Sequence, residues 1–366
     1  MIAEKEPRVY VAPQWKLVWW KFRRHKLAFA SGIIVLVIYL ISIFTEFLAP
    51  FPADKTDSTY LYAPPQRLRL RDNEGKIGLF VYGYSSHIEP AALRRVFTEN
   101  PSMKVEVGFF VKGYPYKLFG LFPASRHLIG PKDPGMPMFL LGADRLGRDL
   151  ASRLIWGTRV SMSIGLIGVL LSLILGVLLG GLSGYFGGVL DSFIQRSIEF
   201  FRSIPSIPLW MGLAAAFPPS MPPLQVYFGI TIILSLIGWT GLARVVRGKF
   251  LSLREEDFVM AARLDGQGEM SIILRQMLPA MTSHIIAAIT LAIPGMILSE
   301  TALSFIGLGL REPVVSWGVL LQDAQEIRSI ATAPWLLIPA AAVIFAVLSL
   351  NFLGDGLRDA ADPYMR

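Results

Sequence analysis

Apolar residues gather along this chain in six runs separated by polar stretches, each long enough to cross a hydrocarbon core, which takes ~20 residues as helix. The runs are Leu27–Leu48, Val160–Leu182, Ile198–Phe217, Leu224–Ala243, Ala280–Phe305 and Trp335–Leu353. Their apolar positions do not alternate, which argues for helices and against the strands of a β-barrel. The pattern therefore predicts an all-α membrane protein with six transmembrane helices. Between Pro50 and Phe139 the pattern changes. Lys76–Tyr84 and Met103–Leu118, rich in Val, Phe and Tyr, read as strands. Ile88–Asn100, with Glu89 and Pro90 near its start, reads as a short helix. Gly113, Pro115, Gly130, Pro131 and Pro134 mark turns. A small α+β insert outside the membrane, between helices 1 and 2, is the expectation; a structured spacer and a ligand-contacting lid both fit it.

These boundaries divide the chain into an N-terminal segment at 1–26, a first transmembrane helix at 27–49, an extracytoplasmic insert at 50–140 and a core at 141–366. The core carries five further helices and a polar loop at 248–279. Lys16, Lys21, Arg23, Arg24 and Lys26 crowd the start of the first run and place the N-terminus in the cytoplasm. Six crossings return the C-terminus to the same side. The insert is also rich in Lys and Arg, but loops beyond ~60 residues are largely exempt from the positive-inside bias. The first run is too long for a signal peptide, and no small-x-small cleavage site follows it, so it reads as a retained anchor.

Composition agrees with a membrane protein: 53% of residues are hydrophobic and mean hydropathy is +0.51. The net charge of +8 is explained by cytoplasmic loops and calls for no nucleic acid. With no cysteine, the chain has no disulfide, no thiolate nucleophile and no Cys-ligated zinc. His25, His87, His127 and His284 lack metal-ligand spacing, so no metal is assigned. Around Gly248 and Lys249 a phosphate loop is incomplete, because Ala243 and Phe250 stand where Gly and Ser/Thr are needed. No cofactor is expected on this chain. Asp144, Arg148 and Asp149 are charged but lack a nucleophile-base set, and read as caps of the second helix.

The 248–279 loop is the most informative segment. Ser252 to Glu255 fits a capping box. Glu255, Glu256 and Asp257 then sit where a helix N-terminus favours negative charge. Phe258, Ala261, Ala262 and Leu264 are spaced to form one apolar face, and Gly266 suits the left-handed position that ends a helix. A second helix over Glu269–Met277 follows, with Leu278 and Pro279 opening the fifth crossing. From these residues alone, a helix shaped for a partner's groove and an ordinary interfacial helix fit equally. Gly176, Gly180, Gly184 and Gly188 recur every four residues, a spacing that serves packing within the chain or against a partner. Arg196, Glu199 and Arg202 read as snorkelling interfacial charges. Glu300 is the deepest acid. With Pro294 and Ser304 it is the candidate for a translocation path or gate, a structural hydrogen bond being the other reading. Pro205, Pro208 and Pro294 are candidate hinges, or simple packing relief.

The Ala261-Ala262…Gly266…Leu278-Pro279 pattern resembles the coupling loop of bacterial ABC import permeases. Three further segments resemble the dipeptide, oligopeptide and nickel branch of that binding-protein-dependent family: Leu141–Asp149 continuing to Ser161, Ser299–Gly309 with Ser316-Trp317-Gly318, and Asn351–Pro363. Together they cover most of Leu141–Arg366, and leave the first 26 residues and the insert unexplained. One departure is Met260, where the family usually carries an acid. The resemblance implies a type I ABC importer permease fold in the bacterial inner membrane. It implies assembly with two ABC ATPase subunits that supply ATP hydrolysis, a second related permease and an extracytoplasmic solute-binding protein. Peptides are the first expectation for the solute and short oligosaccharides the second. A stand-alone secondary transporter and a membrane enzyme are the other classes, and the chain shows neither internal repeats nor a convergent catalytic set.

Overall fold

A computed structural model describes residues 14–71, 77–89, 94–218 and 220–361. In chain order the helices are α1 (Gln14–Arg24), α2 (Lys26–Ile43), α3 (Thr45–Leu48), α4 (Leu150–Phe186), α5 (Gly188–Ser203), α6 (Ser206–Ala215), α7 (Pro223–Leu253), α8 (Asp257–Leu264), α9 (Glu269–Ile272), α10 (Leu278–Ala280), α11 (Thr282–Phe305), α12 (Trp317–Gln322), α13 (Ile327–Thr332) and α14 (Ile338–Ala361). Four strands, β1 (Arg69–Arg71), β2 (Ile77–Glu89), β3 (Arg94–Leu118) and β4 (Phe122–Pro131), lie between α3 and α4. Five helical stretches among the described residues are long and apolar enough to cross a membrane: Lys26–Ile43, Leu150–Phe186, Pro223–Leu253, His284–Phe305 and Pro334–Ala360.

The run Ile198–Phe217 is not one helix. It is divided between the end of α5 and α6, with the break at Ile204-Pro205. The Pro205 ring disfavours helical geometry in the residue before it, and Ile204 is extended at φ −90°, ψ 127°. Pro294, by contrast, lies inside α11 without ending it.

Contacts divide the chain into two units. One holds Val37–Ser163 and Glu300–Ile344. Its strands form an antiparallel sheet in the order β1-β2-β3-β4. Val81 pairs with Val105, and both pack with Val107, Phe51 and Met138 in a buried cluster. The helix expected over Ile88–Asn100 is strand wherever it is described, which corrects the insert from α+β to an antiparallel sheet; residues 90–93 lie outside the described residues. Val96-Phe97-Thr98 suits a pleated surface better than a helix, and these residues pair with His87, Ser86 and Ser85 on β2. Non-glycine residues with positive φ among those described are Tyr62, Phe110 and Phe119.

The other unit holds the described residues of Met1–Leu36, Ile164–Ser299 and Phe345–Arg366. Its core is set by α4 against α7. A Cβ built on Gly176 would meet the Leu242 side chain at 2.9 Å, one on Gly180 the Ala243 carbonyl oxygen at 2.4 Å, and one on Gly184 the Arg247 carbonyl oxygen at 2.7 Å. The glycine series thus serves packing within the chain at these three positions. Gly188 does something else: it has φ +59° with open space around it, and opens α5.

Gly180→Val is expected to force α4 from α7 and cost about 1–3 kcal/mol by overpacking. Gly181→Ala, whose Cβ would stand 3.4 Å from the Phe250 ring, is expected to be tolerated. Thermal unfolding of the two variants in the same detergent checks the contrast.

Candidate functional site

Beyond α7 the chain makes the segment that the sequence singles out. The capping box does not form: Ser252 remains inside α7, which runs on to Leu253 because Phe250 is fully buried in the unit's core. Glu256 is instead the extended residue that opens α8, without a side-chain cap. Glu256 and Asp257 still place negative charge at the helix N-terminus, whereas Glu255 pairs with Arg254 at 2.9 Å. At the other end Gly266 has φ +74°. Its N–H donates to Arg263 O at 3.0 Å, and Gln267 N–H donates to Ala262 O at 3.1 Å. That pair of bonds is a Schellman motif, which satisfies the last carbonyls of α8.

The single apolar face expected for α8 is split. Val259 and Ala262 are 0% and 4% exposed, and join Tyr185, Val246, Phe250, Ile272, Ile273 and Met277 in one buried cluster. Phe258 and Leu264 are 41% and 89% exposed, and Ala261 is exposed with them. Spacing of three places Phe258 with Ala261 on the outer side and Val259 with Ala262 on the inner side. Met260, Met270 and Leu274 add to the exposed apolar surface. The helix expected over Glu269–Met277 is α9 for one turn and then a π turn over Ile273–Met277. Pro279 follows in α10, where it has no N–H to give to the Arg275 carbonyl; a widened turn accommodates that loss. Leu278 packs against the buried cluster.

Behind this segment lies a contact that the sequence did not reveal. Arg247 Nε and Nη2 each donate to Asp191 at 2.6 Å, Ser183 Oγ bonds the same carboxylate, and Gln195 Nε2 donates to Ser183 Oγ at 3.1 Å. The set ties the ends of α4 and α7 to α5. Its signal in the sequence is faint, because Arg247 stands among other loop cations and Asp191 lies 56 positions away. Arg196 and Glu199 pair at 2.8 Å on the exposed side of α5.

In the other unit Glu300 is completely buried. Its carboxylate accepts from Ser304 Oγ at 2.8 Å, Ser316 Oγ at 2.7 Å and Ser161 Oγ at 3.3 Å. Those hydroxyls accept in turn from the N–H groups of Leu310, Val319 and Trp317. Ser304 therefore belongs to the knot around Glu300. Of the two readings open for Glu300, the geometry displays the structural hydrogen bond. A Cβ on Gly318 would fall 2.7 Å from Thr301 O, so α12 is packed to contact against α11.

Asp144, Arg148 and Asp149 form a larger cluster than the sequence suggests. Asp149 accepts from Ser152 N–H at 2.7 Å and Oγ at 2.6 Å, which caps α4. Burial nevertheless pushes its carboxyl up to about 6. Asp144 takes Arg148 at 2.6 Å and also Arg153, and both arginines reach Glu312 Oε1, at 2.6 Å and 2.9 Å. Arg145 donates to Asp323 at 2.8 Å. Burial works to raise Glu312, but the hydrogen bonds and charges of Arg148 and Arg153 outweigh it and hold the carboxyl at about 2. Nearby, a cavity of about 660 Å³ is lined by Tyr62, Ile88, Arg95, Phe97, Glu326 and Trp335, among others. Among the described residues no group of three or more His, Asp or Glu side chains is placed to hold a metal.

A family model described as binding-protein-dependent transport system inner membrane component matches residues 159–366, and one described as the N-terminal TM domain of oligopeptide transport permease C matches residues 13–65. The dipeptide transport system permease protein DppC of Lactococcus lactis is 32% identical over 348 residues, 94% of this chain and 89% of that one. The oligopeptide transport system permease protein OppC of Haemophilus influenzae is 40% identical over 223 residues, 61% of this chain and 69% of that one. DppC of Bacillus subtilis is 36% identical over 227 residues, 62% and 68% of the two chains.

Glu312 generates a pH prediction. Its folded pKa of about 2 lies below the ordinary 4.5, so its stabilising contribution is complete above pH 4.5 and is lost as pH falls toward 2. Thermal midpoints recorded across that interval should fall less steeply for Glu312→Gln than for the native chain. Glu300→Ala should lower the midpoint at neutral pH, since it leaves three buried hydroxyls without their acceptor, each loss costing about 1–3 kcal/mol.

Proposed function

We infer that this chain, which belongs to the family of binding-protein-dependent transport system inner membrane components, is the pore-forming permease subunit of an ATP-driven peptide importer. The observation that carries the reading is the alignment with DppC from Lactococcus lactis, which spans 94% of this chain and includes the insert region rather than the core alone. Names of the relatives, all dipeptide or oligopeptide permeases, favour peptides over oligosaccharides as solute. Five long apolar helices fit a multi-pass protein of the bacterial inner membrane. The broken pair α5 and α6 supplies the remaining crossing of a six-helix type I permease in this proposal. Both termini then face the cytoplasm, where the basic residues of α1 belong.

The chain acts as a transport subunit, and ATP is bound and hydrolysed on two separate ABC ATPase subunits. Their docking site is α8 and the exposed apolar surface beside it: Phe258, Met260, Ala261, Leu264, Met270 and Leu274. A partner gripping that side moves Val259 and Ala262 with it, because a short helix is one rigid body. These press on Tyr185 at the end of α4 and on Val246 and Phe250 of α7, so the displacement passes into the long helices. ATP binding can shift the conformational equilibrium only by the difference in docking energy between the two states, and α8 is where that difference is applied. A second, related permease completes the path, and an extracytoplasmic solute-binding protein delivers the peptide.

Ala261→Glu is expected to abolish co-purification of the ATPase from mild detergent while leaving thermal stability unchanged. Ala262→Glu should lower stability itself, because it buries a carboxylate in the apolar cluster. Retention of the ATPase by Ala261→Glu at native levels would overturn this docking site.

A further inference from the structure

We propose that the tip of the β3–β4 hairpin, Leu118–Phe122, enters the outer leaflet of the bilayer beside the first span. The inference goes beyond peptide import and stands whatever the solute is.

Leu118-Phe119-Gly120-Leu121-Phe122, the turn that joins β3 to β4, is a stretch without a charge or a polar side chain. Such residues at a water-exposed turn have nothing to gain there, yet Phe119, Leu121 and Phe122 are 50%, 73% and 63% exposed. Ring contacts fix where the tip lies. Phe110, back along β3, stands 6.0 Å from Phe47, and Phe119, at the turn, stands 5.8 Å from Phe44. Going from stem to tip, the partner moves three residues down the helical chain toward the span, roughly 4.5 Å at the rise of an α-helix. The hairpin therefore descends along α3 toward the outer end of α2 rather than rising away from it. Phe44 continues the exposed apolar side of that helix, formed by Leu40 and Ile43, which is the side that lipid covers. The tip extends this surface sideways.

Two further features suit the hairpin to that medium. Hydrocarbon offers no partner for a bare N–H, and the turn closes its own: Gly120 N–H donates to Lys117 O at 3.0 Å and Leu121 N–H to Leu118 O at 3.1 Å. The apolar tip is bounded by Lys112, Lys117 and Arg126, all exposed, at the level where phosphate headgroups lie. Phe110 and Phe119, the two rings that touch the helix, also hold φ of +54° and +56°, a conformation that bulky residues rarely adopt. Backbone outliers at both contact points mark a placement imposed by the surroundings.

The chain contains no cysteine, so single nitroxide labels can be placed without altering another site. Leu121→Cys and Phe122→Cys, labelled one at a time, are to be compared with Leu36→Cys in α2 and Ile77→Cys on β2, in nanodiscs of phosphatidylethanolamine and phosphatidylglycerol. Collision with oxygen, which concentrates in lipid, is measured against collision with a water-soluble nickel chelate. Labels at 121 and 122 should favour oxygen severalfold, as the label at 36 does, and oppose the one at 77. Behaviour like that of Ile77 would overturn the proposal by placing the tip in water. Shielding from both reagents would overturn it equally, by placing the tip against a protein partner. Because the two tip positions are read independently, one poorly folded variant leaves the other to decide.

Discussion

Gly180 brings α4 so near α7 that its hydrogen stands where any side chain would strike the Ala243 carbonyl oxygen. Much else in that unit follows from this approach. With the two backbones in contact, Phe250 fits beside Gly181 and Gly184 and closes the end of the pair. Arg247 then reaches Asp191, and α5 is fixed to both helices. The buried side of α8 has a firm surface to rest on only because Tyr185, Val246 and Phe250 are held together by the same approach. In hydrocarbon, where burial of apolar surface gives helices little reason to associate, close van der Waals contact of this kind is the available cement.

The unit of Val37–Ser163 and Glu300–Ile344 answers the cost of polar groups in two ways. Around Glu300 a carboxylate is enclosed and saturated with hydroxyl donors, each of which also accepts from backbone. Around Glu312 and Asp144 the solution is charge against charge, with Arg148 and Arg153 shared between two acids. The first arrangement holds a chain crossing tight without any net charge balance from cations. The second joins the start of α4 to the segment after α11, so that two stretches distant in sequence behave as one wall. In α8, by contrast, apolar surface is left uncovered on one side, at Phe258 and Leu264.

Long-range hydropathy was the most legible part of the fold. Runs such as Val160–Leu182 and Leu224–Ala243 lie inside α4 and α7 because a helix that must traverse ~30 Å of hydrocarbon writes its length into composition. The third run was less legible, since composition says nothing of continuity and Pro205 decides it. Within the insert, Lys76–Tyr84 and Met103–Leu118 fall in β2 and β3 where they are described, but the described part of Ile88–Asn100 is strand rather than the expected helix. A proline-opened stretch imitates a helix start, and only the facing strand discloses the pairing. The segment around α8 shows the same divide. Gly266 was legible because left-handed geometry is a property of one residue. The inward turn of Ala262 was not, because which side of α8 is covered depends on Tyr185 and Phe250. Asp191 with Arg247, and Glu300 with Ser161, were invisible for that reason too: partners far apart in sequence leave no local pattern.

Gly266 has another consequence. Beyond its own chain neighbours, no atom of the described residues lies within 4 Å of the point where its side chain would begin, yet its φ is +74°. The position is therefore indifferent to size and sensitive to chirality. A D-alanine would sit there as easily as glycine, while its mirror image, no larger by a single atom, would not. What closes α8 is a demand on handedness alone, met in ribosomally synthesised chains by the one residue that has none.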